Sequence, residues 1–158
     1  KEWSGRLVLR WPPPERSWWR WADRNAMPID TIHAESVLAE RLPEWNALVL
    51  TWLGLQDLPP SWEAALSHWR GIYTILDRSC GKLYVGSAYG EENLLSRWRG
   101  YSKSGHGGNV ELKGRDPKQF QFSILQRVSP DMPAEEVIRV EASWKDRLGT
   151  REFGLNKN

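Results

Sequence analysis

Arg70-Gly71-Ile72-Tyr73-Thr74-Ile75-Leu76-Asp77-Arg78-Ser79-Cys80-Gly81-Lys82-Leu83-Tyr84-Val85-Gly86-Ser87-Ala88 is the stretch that decides the fold. Two runs rich in β-branched and aromatic residues, 70–77 and 82–88, are joined by a short polar segment that ends in glycine, the pattern of a β-hairpin. Ten residues separate Tyr73 from Tyr84, so tight pairing brings the tyrosines roughly opposite each other. Cross-strand tyrosines are ordinary packing partners. Gly71 and Gly86 ask for more, because glycine weakens a strand unless something approaches its backbone closely.

Downstream, Glu91 to Tyr101 carries Leu94, Leu95 and Trp98 at helical spacing. Residues 102–109 hold three glycines and read as a loop. Gln119 to Gln126 alternates, with Phe120, Phe122 and Ile124 on one face, and predicts a third strand. Pro133 stands at the permitted first turn of a helix that runs to about Leu148 and is closed by Gly149. The order β, β, α, β, α predicts an α+β fold with a small three-stranded antiparallel sheet flanked by helices. Upstream, residues 5–11 read as a strand stopped by Pro12, Pro13 and Pro14. Residues 17–24 fit strand or loop, and 34–41 fit one or two helical turns. Ser61 reads as the N-cap of a short helix from Trp62 to Trp69. The division expected is a Trp-rich N-terminal extension, 1–69, packed on a domain, 70–158.

The chain has 158 residues, 40% hydrophobic and 27% charged, enough for a packed core and against wholesale disorder. No run approaches the ~20 apolar residues of a membrane-spanning helix. No basic start leads into an apolar stretch, so no secretory signal is read, although a chain beginning at Lys1 leaves a lost leader open. The single Cys80 excludes an internal disulfide framework and a multi-cysteine zinc site, and a bacterial cytoplasm is the expected compartment. Within 97–118, six bases stand against Glu111 and Asp116, a +4 stretch that suits a phosphate backbone or a solvated loop. Nine of the eleven tryptophans lie at or before Trp69, where core or protein contact and base stacking are both open.

The 134–148 helix has an apolar stripe at Val137, Ile138, Trp144 and Leu148, and Glu141 falls inside it. A carboxylate there must be paired, neutralised or bound to a metal. A buried salt bridge, to Arg97 or Arg139, and a metal site stand side by side.

Gly71-Ile72-Tyr73, ten residues, then Tyr84-Val85-Gly86 resembles the signature of the GIY-YIG nuclease superfamily. Tyr84 to Ala88 followed by Arg97-Trp98 is similar to its phage intron homing endonucleases. Arg97 matches the arginine of the first helix, and Tyr101 the position held by Tyr or His. Glu141 matches the metal-binding glutamate, and Gly154-Leu155-Asn156 the closing asparagine motif. Gly105-His106-Gly107-Gly108-Asn109 and the terminal Gly-Leu-Asn-Lys-Asn resemble a bacterial subgroup of the superfamily. The resemblance spans about residues 70–158.

The resemblance implies a metal-dependent DNA endonuclease that leaves a 5′-phosphate and a 3′-hydroxyl. It implies one Mg²⁺ or Mn²⁺ on Glu141 and Arg97 at the scissile phosphate. Tyr73 is the first candidate base and Tyr84 the second. A tyrosine, with an ordinary pKa of about 10, needs a nearby cation such as Lys82, Arg97 or the ion. His106 is the rival, because its ordinary pKa of about 6.5 needs no such help. Asn156 is expected to order water or the active-site backbone. Lys82, Arg99, Tyr101, Lys103, Asn109 and Lys113 are expected at DNA. His33 and His68 read as structural or surface residues. The competing reading is a catalytically weak domain that binds DNA or protein. The Trp-rich segment is expected to take a protein partner or to self-associate.

Overall fold

The computed structural model describes residues 3, 5–12, 19, 21–34 and 41–157. The chain forms two compact units, Lys1–Arg41 and Leu42–Asn158. Among the described residues no helix is long and apolar enough to cross a membrane.

In the first unit, β1 (Leu7–Leu9) pairs antiparallel with β2 (Ile29–Ile32). The predicted strand at 5–11 is thus real but shorter, and its partner lacks an alternating pattern to announce it. The exposed Arg10–Asp30 pair, 2.8 Å, and an Arg6 Nε bond to the His33 carbonyl, 3.0 Å, tie the two strands at their ends. Trp3, Trp11, Trp19 and Trp21 are exposed. Most of the 34–41 segment expected to be helical lies outside the described residues.

The second unit is built on β3 (Val49–Thr51), α1 (Trp52–Gln56), α2 (Pro60–His68), β4 (Arg70–Asp77), β5 (Lys82–Ala88), α3 (Leu94–Ser104), β6 (Phe120–Val128) and α4 (Ala134–Arg147). The sheet has four antiparallel strands in the order β3-β6-β4-β5, not the three expected. The added strand is three residues long, too short to show alternation, and it forms because Leu50 pairs opposite Phe122 and is buried. Thr51 then ends the strand and caps α1, its Oγ1 accepting from Gly54 N–H at 3.2 Å. Residues 42–69, grouped above with the Trp-rich segment, therefore supply a strand and two helices to this unit. The short helix starts at Pro60 rather than after a Ser61 cap. Proline at the first position has no N–H to satisfy, and the Trp62 and Glu63 N–H groups both bond the Pro59 carbonyl at 3.0 Å.

The hairpin forms as expected, but Tyr73 lies opposite Gly86 and Ile75 opposite Tyr84, so the two tyrosines are diagonal neighbours rather than facing each other. Asn93 caps α3 in a reciprocal box with Ser96, and the helix runs one turn past the predicted end, to Gly105 in the left-handed region (φ 74°). Strand alternation sends β4 and β5 side chains to two sides. Tyr73, Ile75, Tyr84 and Ala88 join Trp98, Phe120, Phe122, Leu50 and Leu66 in the larger core, on the α3 side. Ile72, Val85 and Val128 pack with Val137 of α4 in a smaller one. The edge strand β5 therefore presents residues to both layers.

Candidate active site

The outer edge of β5 is closed by the C-terminal segment. Leu155 N–H donates to the Leu83 carbonyl at 2.8 Å. The Asn156 carboxamide does what a neighbouring strand residue does elsewhere: Oδ1 accepts from Val85 N–H at 2.9 Å, and Nδ2 donates to the Val85 carbonyl at 2.8 Å. A Cβ on Gly154 would lie 2.5 Å from the Leu83 oxygen and 2.7 Å from the Thr150 Cα, so only glycine lets the segment approach. Each residue of Gly154-Leu155-Asn156 thus has a local cause: close approach, a buried apolar anchor and a backbone clamp.

Three buried phenols form a chain on the α3 side. The Tyr73 hydroxyl donates to that of Tyr101 at 3.2 Å, and Tyr101 donates to Tyr84 at 3.2 Å. Gly86 makes room for them, because a Cβ there would sit 2.6 Å from Tyr73 Oη and 2.9 Å from Tyr84 Cε1. Burial pushes Tyr73 above its ordinary value, with the neighbouring Tyr84 adding to the rise; Arg97 opposes it without cancelling it. Burial and Tyr101 raise Tyr84, where Asn109 opposes, and burial and Tyr73 raise Tyr101. All three are neutral phenols at neutral pH. Lys82 is exposed at the hairpin end, and Arg97 is the cation that opposes the rise at Tyr73.

Arg97 and Tyr101, four apart on α3, share a face and line a cleft of about 360 Å³ with Tyr84, Gly107, Gly108, Asn109, Val110, Glu111 and Lys157. Tyr73 lies behind this lining, fully buried, so Tyr84 is the motif tyrosine that the cleft reaches. Burial works to lower the Arg97 pKa, and Tyr73, Tyr101 and Glu92 outweigh it, so the guanidinium stays charged. Its Nη1 reaches Glu92 at 3.3 Å, while its buried Nε has no hydrogen-bond partner. A charged planar fork lining a cleft suits a phosphate.

The glycine-rich loop forms one wall of the cleft. A Cβ on Gly107, which has φ 49°, would lie 2.5 Å from the Tyr101 ring, so glycine allows this wall to lie flat on the phenol. Asn109 Oδ1 accepts from Glu111 N–H at 2.8 Å. His106 is not in the lining; its Nδ1 accepts from Gly108 N–H at 3.0 Å, folding the ring onto its own loop. His68 Nδ1 lies 2.8 Å from the Ala64 carbonyl one turn back, and the main-chain N–H of His33 donates across the strands to the Arg6 carbonyl.

The expected DNA-contacting residues separate. Tyr101 and Asn109 line the cleft, whereas Lys113 is exposed elsewhere on the loop. Arg99 and Lys103, two residues around the helix from Arg97 and Tyr101, line a different cleft of about 570 Å³ between α2 and α3, where Arg99 pairs with Glu63 at 2.8 Å. The arginine bond also draws the Glu63 carboxyl below its ordinary range. Lys157 is a cleft cation that the sequence reading did not single out, standing just beyond the asparagine motif.

Glu141 is partly buried at 16% exposure and is paired, though not with Arg97 or Arg139. Lys145, one turn on, reaches its Oε1 at 2.7 Å, and the Ser87 hydroxyl donates to its Oε2. The α4 face is rotated from the predicted stripe: Val137 and Lys145 are buried, and Ile138 is 52% exposed. Lysine reads as a surface residue, so the ammonium escaped notice; the Glu-to-Lys spacing of four was the available signal. Ser87 sits on β5 three residues after Tyr84, so the same strand carries the phenol and the hydroxyl that holds Glu141.

No family model matches the chain, and no curated protein matches it. Among solved structures, the catalytic domain of the homing endonuclease I-TevI aligns at TM-score 0.44 and 24% identity, over 56% of this chain and 98% of that one. A mutant form of the catalytic domain of the intron endonuclease I-TevI aligns at TM-score 0.46 and 24% identity, over 57% and 94%. The similarity is one of fold.

Proposed function

We propose that the unit 42–158 is a GIY-YIG-type endonuclease that hydrolyses DNA phosphodiesters, leaving a 5′-phosphate and a 3′-hydroxyl. The observation that carries this reading is the convergence of Arg97, Tyr84 and Tyr101 on one cleft, with Glu141 bonded to Ser87 of the strand that carries Tyr84. Among the described residues there is no group of three or more acidic, histidine or cysteine side chains for a metal. Glu141 is the residue that would hold a single Mg²⁺ or Mn²⁺, once Lys145 or Ser87 releases a carboxylate oxygen. When bound, such an ion supplies Lewis-acid stabilisation of the departing oxygen.

The chain's own residues do the rest. Arg97 binds phosphate oxygens through its fork and neutralises the charge that builds on them. Tyr84 offers its hydroxyl to phosphate or to the attacking water, and Tyr101 donates to that hydroxyl. A neutral phenol orients water; Tyr84 takes a proton only as far as cationic charge in the cleft lowers its pKa. Tyr73 supports Tyr84 through Tyr101, and Asn156 holds the strand carrying Tyr84 and Ser87. A second reading, a catalytically weak domain that binds DNA or protein, is favoured by one observation: Glu141 is already neutralised by Lys145. Supercoiled-plasmid nicking in Mg²⁺ or Mn²⁺ separates the two. Wild type should nick and Glu141→Ala should not, while both retain DNA binding. Nicking by Glu141→Ala within about tenfold of wild type, ~1.4 kcal/mol of barrier, removes the ligand role.

A further inference from the structure

Lys145 stands in the last turn of α4 and is only 4% exposed. A buried ammonium is costly unless it is paired, and its Nζ lies 2.7 Å from Glu141 Oε1. Ser87 donates to the other oxygen, so both carboxylate oxygens are occupied by the chain's own donors. Glu141 and Lys145 together carry no net charge. A divalent cation entering alone meets no net attraction from this pair and is repelled at Oε1 by the ammonium. A DNA phosphate arriving in the same place brings the missing negative charge.

We infer that Lys145 holds the cation's place on Glu141 while DNA is absent, so that a divalent ion is taken up tightly only together with a phosphate. The inference rests on reading Glu141 as the ion's ligand. It makes Lys145 a positioning residue: it keeps the carboxylate oriented through α4 and sets when the ion loads. The sequence supplies this through the one-turn spacing of Glu141 and Lys145, which brings the two groups together on one helix face.

Manganese titration of the full chain without DNA, followed by electron paramagnetic resonance, tests it. Lys145→Met and Lys145→Gln, each folded by circular dichroism, should bind Mn²⁺ at least about tenfold more tightly than wild type, the scale of a coupling between two cations at one site. Lys145→Arg should stay near wild type, and adding Glu141→Ala should abolish the gain. Equal affinity in wild type and the two neutral variants overturns the inference and leaves Glu141 as ligand untouched. A gain that survives Glu141→Ala overturns both. Should neither neutral variant fold, the wild type with a phosphorothioate duplex decides. Mn²⁺ affinity raised by the duplex, and not raised in Glu141→Ala, supports coupled loading; affinity unchanged by the duplex refutes it.

Discussion

Replacing Asn156 by alanine removes two hydrogen bonds at once, because its carboxamide both accepts from Val85 N–H at 2.9 Å and donates to the Val85 carbonyl at 2.8 Å. Asn156 and Val85 are both buried, so the stranded backbone groups find water only if the strap lifts. Each buried polar group left unmet costs about 1–3 kcal/mol, so the pair costs about 2–6 kcal/mol. At about 4 °C per kcal/mol for a unit of this size, melting should fall by roughly 8 °C or more. Asn156→Asp is more discriminating. Its carboxyl keeps an acceptor for Val85 N–H but turns an oxygen toward the Val85 carbonyl, and that oxygen must carry a proton. The folded state then holds the introduced carboxyl's pKa above its unfolded value of about 3.9, so it binds more protons than the unfolded chain. Stability from that protonated contact is present below the unfolded pKa and is lost as pH rises through the folded one. Relative to wild type, the variant's melting deficit should be least near pH ~4 and greatest near pH ~7. Scanning calorimetry across this range reads it. An Asn156→Ala variant that melts within about 2 °C of wild type yet loses cleavage would refute the clamp and make Asn156 a chemical group.

Arg97→Lys keeps the charge and loses the fork, so single-turnover cleavage should fall by about tenfold or more while duplex affinity moves little; collapsed affinity with intact turnover would make it a docking residue. Gly86→Ala drives a Cβ to 2.6 Å from Tyr73 Oη, and with both tyrosines buried the crowding should cost about 1–3 kcal/mol in thermal melts. An unchanged melt would show that the phenol chain has slack. His106→Ala should leave the rate within about tenfold, because its Nδ1 serves its own loop; a loss of ~10²-fold, with the acidic limb of the pH–rate profile gone, would restore a proton-handling role.

The hairpin, the α3 helix and the α4 helix were legible because their signals are local: β-rich runs around a turn, leucines at helical spacing, and proline and glycine at the ends. The motif residues were legible too, because type and spacing survive without coordinates. β3 was not, since three residues show no period and its reason to exist is Phe122, far along the chain. The first tyrosine of the signature looked the better base, and only packing reveals that Tyr73 is sealed behind Tyr101 while Tyr84 meets the cleft.

Charge was the least transferable reading. Arg97, Arg99, Lys103 and Lys113 form one basic stretch in sequence, but a helix turns each residue by about 100°, which sends Arg99 to Glu63 and leaves Arg97 at the phenols. The same rotation exposes Ile138 and buries Lys145. Sequence determined which groups this protein has and that the hairpin, α3, β6 and α4 exist. Tertiary structure decided which of them meet, because burial and pairing depend on the faces presented after folding and on neighbours as distant as Val85 and Asn156.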